Sequence, residues 1–258
     1  MAAIPGAAGA ARARGVDRVV DILDQLHAAR RPMTMRELID ATGAPRSSIY
    51  ELVTILTDAG WLETAADGSV FFGRVMHYYG ADYALHNDLI RRAHQTILEL
   101  VRKYDETTQL CILEGNKYTV VLSETSGTRP FNVSSEIGVK VPIPWTATGR
   151  LLLGHLGADE IRALIPSEDF VLENGQRIEF DDFLRDVKNS AGQGYCCTEG
   201  LSHAFRYCMA APILGRTGQS IAALCFMTSR DVDPHKRSAM LEDLIASSKA
   251  LSEPSSRF

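Results

Sequence analysis

From Thr34 to Trp61 the apolar residues recur with a helical period that is broken once. Leu38 and Ile39 are the inward positions of a first short helix. Ile49, Leu52, Val53 and Leu56 are those of a second, running from Arg46 to about Ala59. At about 100° per residue these four fall in one sector roughly 100° wide. Ser47, Tyr50, Glu51, Thr54 and Asp58 fall on the opposite side. Thr34-Met35-Arg36-Glu37 reads as a capping box, with the Thr34 hydroxyl accepting from the Glu37 N–H and the Glu37 carboxylate reaching back. Gly43, Ala44 and Pro45 supply the turn: Gly43 tolerates a positive φ and Pro45 suits a first helical position.

The same reading extends along the chain. Val16, Val19, Val20, Ile22, Leu23 and Leu26 predict a helix ending near His27-Ala28-Ala29. Trp61-Leu62-Glu63, Asp67-Gly68 and Val70-Phe71-Phe72 predict a β-hairpin. Three helices and a hairpin make a winged helix-turn-helix over residues 15–74. Arg74 to His86 predicts a connecting helix interrupted by Gly80, with 75–88 as linker, and a stronger helix starts at Leu89. Such a linker helix is suited to pairing with another subunit, or its tyrosines cover the second domain. Beyond it, Thr108–Leu113, Tyr118–Glu124 and Arg129–Ser134 read as strands, and Trp145–Leu156, Asp159–Leu164 and Glu179–Ala191 as helices. Met209–Leu214 and Ser220–Met227 read as strands, and Pro234–Leu251 as a closing helix. The expected class is α+β, with a GAF- or PAS-like domain over residues 89–252 and tails at 1–14 and 253–258.

Composition changes this picture little. The 258 residues are 45% hydrophobic and 23% charged, as in ordinary globular chains of about two domains. No apolar run approaches the ~18 residues of a membrane span, and the Ala/Gly-rich start lacks the basic and apolar parts of a secretory signal. Five scattered cysteines (Cys111, Cys196, Cys197, Cys208 and Cys225) without C-x-x-C spacing predict reduced thiols, a cytoplasmic setting and neither metal nor cofactor.

Charge sharpens the reading. The net charge is −5, and residues 11–75 carry eight arginines against nine acids. Nucleic-acid affinity must then come from a small oriented patch, and two copies held together are part of the expectation. The exposed side of the second helix offers hydroxyls, an aromatic ring and acceptors. Ser47, Tyr50, Glu51 and Thr54 are placed for the major groove of double-stranded DNA, with Arg46 and Ser48 on phosphates or base edges. An ordinary amphipathic hairpin in a core has the same pattern. Catalysis by Cys208 with His203 and Glu199 lacks a framing nucleophile motif, and Gly192-Gln193-Gly194 has no phosphate-loop continuation. An effector-binding interaction protein without DNA binding is the other alternative.

The runs GVDRVVDILDQL, MTMRELIDATGAPRSSIYELVTILTDAGWLE and GSVFFG resemble the N-terminal domain of the IclR family of bacterial transcription regulators. VPIPWTATGRLLLGHL, GQGYCCTEG, RYCMAAPI and GQSIAALCFM follow the order of that family's effector domain. The resemblance spans roughly residues 15–250. It implies a dimer or dimer of dimers with a winged-helix DNA reader and a GAF-like effector pocket. Such a dimer is expected to prefer an inverted-repeat operator, with a small-molecule effector acting through segment 74–104. It also implies an effector wall of Thr146, Ala147, Thr148 and Gly149, faced by Thr198, Cys208, Cys225 and Met227, with Trp145 beside it and Phe131 and Leu122 as weaker wall candidates. Pro144-Trp145-Thr146, Thr198, Cys225 and Met227 stand where other members of the family carry more polar residues. The expected effector is therefore an aromatic or branched acid or amide.

Overall fold

The computed structural model describes residues 14–125, 137–201 and 205–252. Its contacts divide the chain into two units, one up to His86 and one from Asn87. The first is built from α1 (Arg14–Ala29), α2 (Met35–Thr42), α3 (Arg46–Asp58), β1 (Leu62–Thr64), β2 (Val70–Phe72) and α4 (Arg74–His86). Its core joins Ile22 and Leu26 of α1, Leu38 of α2, and Ile49, Val53 and Leu56 of α3 to Met33, Leu62 and Val70. Each such aliphatic side chain contributes about 1.5–3 kcal/mol on burial. Strands β1 and β2 pair antiparallel from Leu62↔Phe72 to Thr64↔Val70, and Met33 bridges to Val70 on the other edge. At the hairpin tip Asp67 Oδ1 accepts from the Ser69 N–H (2.9 Å) and hydroxyl (2.6 Å).

Gly80 does not interrupt α4, which runs unbroken to His86. One interior glycine costs a helix only ~1 kcal/mol, too little to end it.

The second unit contains α5 (Asp88–Tyr104), β3 (Thr107–Glu114), β4 (Lys117–Glu124), β5 (Lys140–Pro142), α6 (Ala147–Leu152), α7 (Ala158–Leu164), α8 (Phe180–Gln193), β6 (Cys196–Glu199), β7 (Arg206–Leu214), β8 (Ser220–Ser229) and α9 (Pro234–Leu251). The strands form one antiparallel sheet in the order β5-β4-β3-β8-β7-β6. The two-residue period assigns its faces. Leu110, Leu224, Met209 and Phe226 belong to the face that α5 and α9 cover, where Tyr104 meets Phe226 edge-on at 5.6 Å. Cys111, Cys196, Cys208 and Cys225 belong to the other face and pack with Ala147, Leu151 and Leu152 of α6. A further cluster around Ile143, Leu153, Phe170, Phe183 and Val187 lies behind them.

The run Trp145–Leu156 is not one helix: a 3-10 turn (Ile143–Trp145) is followed by extended Thr146 (φ −144°, ψ 166°) and then the short α6. The leucine period persists through this segment, but Thr146 leaves helical geometry and donates its hydroxyl to the Tyr118 oxygen at 3.0 Å. Strands β5 and β6, only three and four residues long, carry too little alternation to be seen in sequence. The expected strand Arg129–Ser134, with Phe131, lies outside the described residues.

Candidate DNA-reading face and effector cavity

The reading face begins at the α2–α3 junction. Glu37 accepts from the Thr34 N–H (2.7 Å) and hydroxyl (2.9 Å) and from Arg31 (2.7 Å), while its own N–H donates to Thr34 Oγ1 (3.3 Å). Arg31 first, then the Thr34 backbone and hydroxyl, hold the Glu37 carboxyl down at about 2. Gly43 ends α2 in the left-handed region (φ 62°), where a side chain would be strained. Pro45 sits at the cap rather than the first helical position, with φ −56° and ψ 133°.

On α3, Ile49, Val53 and Leu56 are buried, whereas Arg46, Ser47, Tyr50, Glu51 and Thr54 are exposed. The Arg46 guanidinium lies over the Tyr50 ring, 5.4 Å from its centroid, so the two form a preassembled cation–aromatic pair. The Thr54 hydroxyl donates to the Tyr50 carbonyl at 2.8 Å. Ser48 differs from its neighbours: it is half-buried and accepts from Arg18 Nη1 at 3.0 Å, which ties α3 to α1. Sequence reasoning missed Arg18 in this role, since one arginine on a helix carries no signal of its partner.

In the second unit Ala147, Thr148, Thr198, Cys208 and Cys225 lie together around α6. The Ala147 N–H donates to Thr198 Oγ1 at 3.1 Å, so a hydroxyl from β6 caps α6 from outside the helix. Thr148, Cys208 and Cys225 are buried beside Cys111. A hydrogen bond with Cys225, then burial, pushes the Cys208 thiol well up, while the Ala147 N–H and Thr148 hydroxyl act in the opposite sense. The Cys225 thiol is raised chiefly by Cys111, and burial pushes Cys196 up to about 11. Burial in a packed interior thus disfavours ionisation of these thiols. Gly149 belongs to the same packing: a Cβ there would stand 2.0 Å from the Ile143 carbonyl oxygen. Trp145 and Met227 are half-buried, and the Trp145 indole N–H donates to the Asp169 carbonyl at 2.8 Å. Among the described residues no three His, Cys, Asp or Glu side chains are placed to hold a metal ion.

Open space lies next to this interior. A cavity of about 380 Å³ is lined by Arg150, Gln176, Arg177, Glu179, Asp182, Asp186, Thr198 and Glu199 with a few apolar groups. Among the described residues, Thr198 is the one expected effector residue on its wall. Arg150, which the sequence reading passed over, is buried at its inner end: Nη1 donates to the Pro144 (3.0 Å) and Thr146 (2.9 Å) carbonyls, and Nε faces Asp186 at 3.3 Å. An arginine within a leucine-rich run was its only sequence signal. Its guanidinium also lies over Phe183, 5.2 Å from the ring centroid.

A winged helix-turn-helix unit followed by an α+β unit with a polar cavity defines a DNA-binding regulator of the ligand-responsive class. Residues 15–66 match the IclR helix-turn-helix domain and residues 81–253 the bacterial transcriptional regulator IclR C-terminal domain. The chain belongs to the IclR family, whose members bind DNA operators and small-molecule effectors and are typically oligomeric. It is 26% identical over 193 residues to the HTH-type transcriptional regulator KipR of Bacillus subtilis, covering 74% of this chain and 77% of that one. It is 25% identical over 249 residues to the HTH-type transcriptional regulator XynR of Escherichia coli, covering 93% and 98%. The crystal structure of an IclR-type transcriptional regulator from Alicyclobacillus acidocaldarius shares the fold, with a TM-score of 0.82 at 15% identity over 93% of this chain and 98% of that one. No helix among the described residues is long and apolar enough to cross a membrane.

Proposed function

We propose that this regulator reads its operator with Arg46, Ser47, Tyr50, Glu51 and Thr54, while Ser48 fixes α3 against α1. The observation that carries the reading is the split of α3, with its aliphatic side chains buried and this set exposed. The Arg46–Tyr50 pair is shaped to meet a phosphate or a guanine edge without first losing much conformational freedom. Pairing of two copies supplies the affinity that one weakly charged unit lacks. The α4 helix supports such pairing: none of its residues is buried, and Tyr78, Tyr83 and Leu85 are 53%, 60% and 66% exposed. A two-fold dimer then prefers an inverted repeat with half-sites about 34 Å apart. The setting is cytoplasmic, where the DNA is, and the protonated thiols fit a binding role without catalysis.

The effector binds beside Thr198, in the cavity that Arg150 helps to line. Its lining of two arginines, four carboxylates and an amide suits a ligand that brings donors as well as acceptors, an amide rather than a compact acid, and neither Trp145 nor Met227 reaches it. Thr198 also caps α6, so a ligand that bonds its hydroxyl acts on the Ala147 N–H contact. A ligand shifts the protein only by binding one arrangement better than another.

A gel-shift of the full chain against the DNA upstream of its own gene, over a salt series, tests DNA reading. Specific retardation that weakens with salt is expected; absence of binding to any promoter fragment would sink it. Thermal-shift measurements with isobutyramide and with glyoxylate test the cavity. Stabilisation by isobutyramide is expected, and stabilisation by glyoxylate alone contradicts this reading.

A further inference from the structure

We propose that Ile55 is a specificity-determining residue that reads a thymine methyl group in the operator, beside a base whose amino group Thr54 accepts. The inference rests on the assignment of α3 as the DNA-reading helix. Ile55 is 55% exposed, although the other isoleucine of α3, Ile49, is fully buried. The unit's core is complete without it. It follows Thr54 directly and stands one helical turn beyond Glu51, both of them exposed. It is therefore an apolar spot within a polar reading surface.

The polar neighbours limit what that surface can recognise. The Thr54 hydroxyl spends its proton on the Tyr50 carbonyl, so toward DNA it offers lone pairs. Ionised Glu51 offers acceptors as well. In the major groove the complementary donors are the adenine N6 and cytosine N4 amino groups, and the one apolar feature is the thymine methyl. An acceptor beside an exposed aliphatic side chain thus fits an amino group beside a methyl. A·T pairs present both. Guanine, with two acceptors on its edge, opposes Thr54 and Glu51 and offers Ile55 nothing.

The test begins with the full-length chain and a randomised duplex library, from which bound sequences are selected. Each thymine of the selected half-site is then replaced by deoxyuridine, which removes the methyl and leaves every hydrogen-bonding atom. At one thymine per half-site the wild-type chain should lose about fourfold in affinity, the equivalent of one buried methyl-sized group. With Ile55→Ala the same replacement should have no effect at that position. An exposed side chain is removed here, so circular dichroism of the variant should match the wild type. If no thymine is distinguished from deoxyuridine, or if the loss persists undiminished in Ile55→Ala, the inference is overturned. Failure to enrich any sequence overturns the DNA-reading assignment itself, and the inference falls with it.

Discussion

In the reading unit Glu37 closes the cap of α2 and holds Arg31. Its carboxyl titrates near 2 in the folded chain against ~4.3 when unfolded. Because the folded value is the lower one, its contribution is fully present above the unfolded value. It is lost as pH falls toward 2. Glu37→Gln should therefore flatten the stability profile between about pH 4.5 and 2, measured by thermal melts across that window. An unchanged acid limb would show that the side chain is too solvated to matter. Gly149 makes the opposite kind of statement. With the Ile143 oxygen 2.0 Å from an added Cβ, Gly149→Ala requires a backbone shift. It should destabilise the second unit by ~1–3 kcal/mol in urea titration.

Elements were legible in sequence where one segment carried a complete signal. Helix α2 announced itself through Thr34 and Glu37, and α3 through the spacing of Ile49, Leu52, Val53 and Leu56. The Asp67-Gly68 hairpin was visible because its turn chemistry is local. The exposed α3 residues were readable by the same arithmetic, but the capture of Ser48 by Arg18, thirty positions away, was not. Around α6 the limits were greater. The leucine run hid the break at Thr146, whose extended geometry serves a tyrosine on β4. The cavity escaped notice because Arg150, Asp186 and Thr198 meet only after the chain has folded. At this scale α4 offers the clearest expectation. A helix with no buried residue gains little from its own protomer. Replacing Tyr78, Tyr83 and Leu85 together by serine should shift sedimentation toward the monomer and leave α3's own packing intact. An unchanged sedimentation profile would remove α4 from the interface.

For the whole molecule, weak charge and a small reading surface point to recognition by geometry and repetition. The chain's net charge of −5 gives no long-range attraction to DNA, so specificity must come from what α3 presents. The measurement that tests this most directly is fluorescence anisotropy with the operator DNA, comparing the wild type with a variant carrying Arg46→Ala and Tyr50→Ala. Both side chains are exposed, so the circular dichroism spectrum should not change. Specific binding should fall at least tenfold, to the level of an unrelated duplex, since each lost base or charged phosphate contact costs about 1–3 kcal/mol. A folded double variant that still binds the operator like the wild type would contradict the assignment of α3 as the reading element.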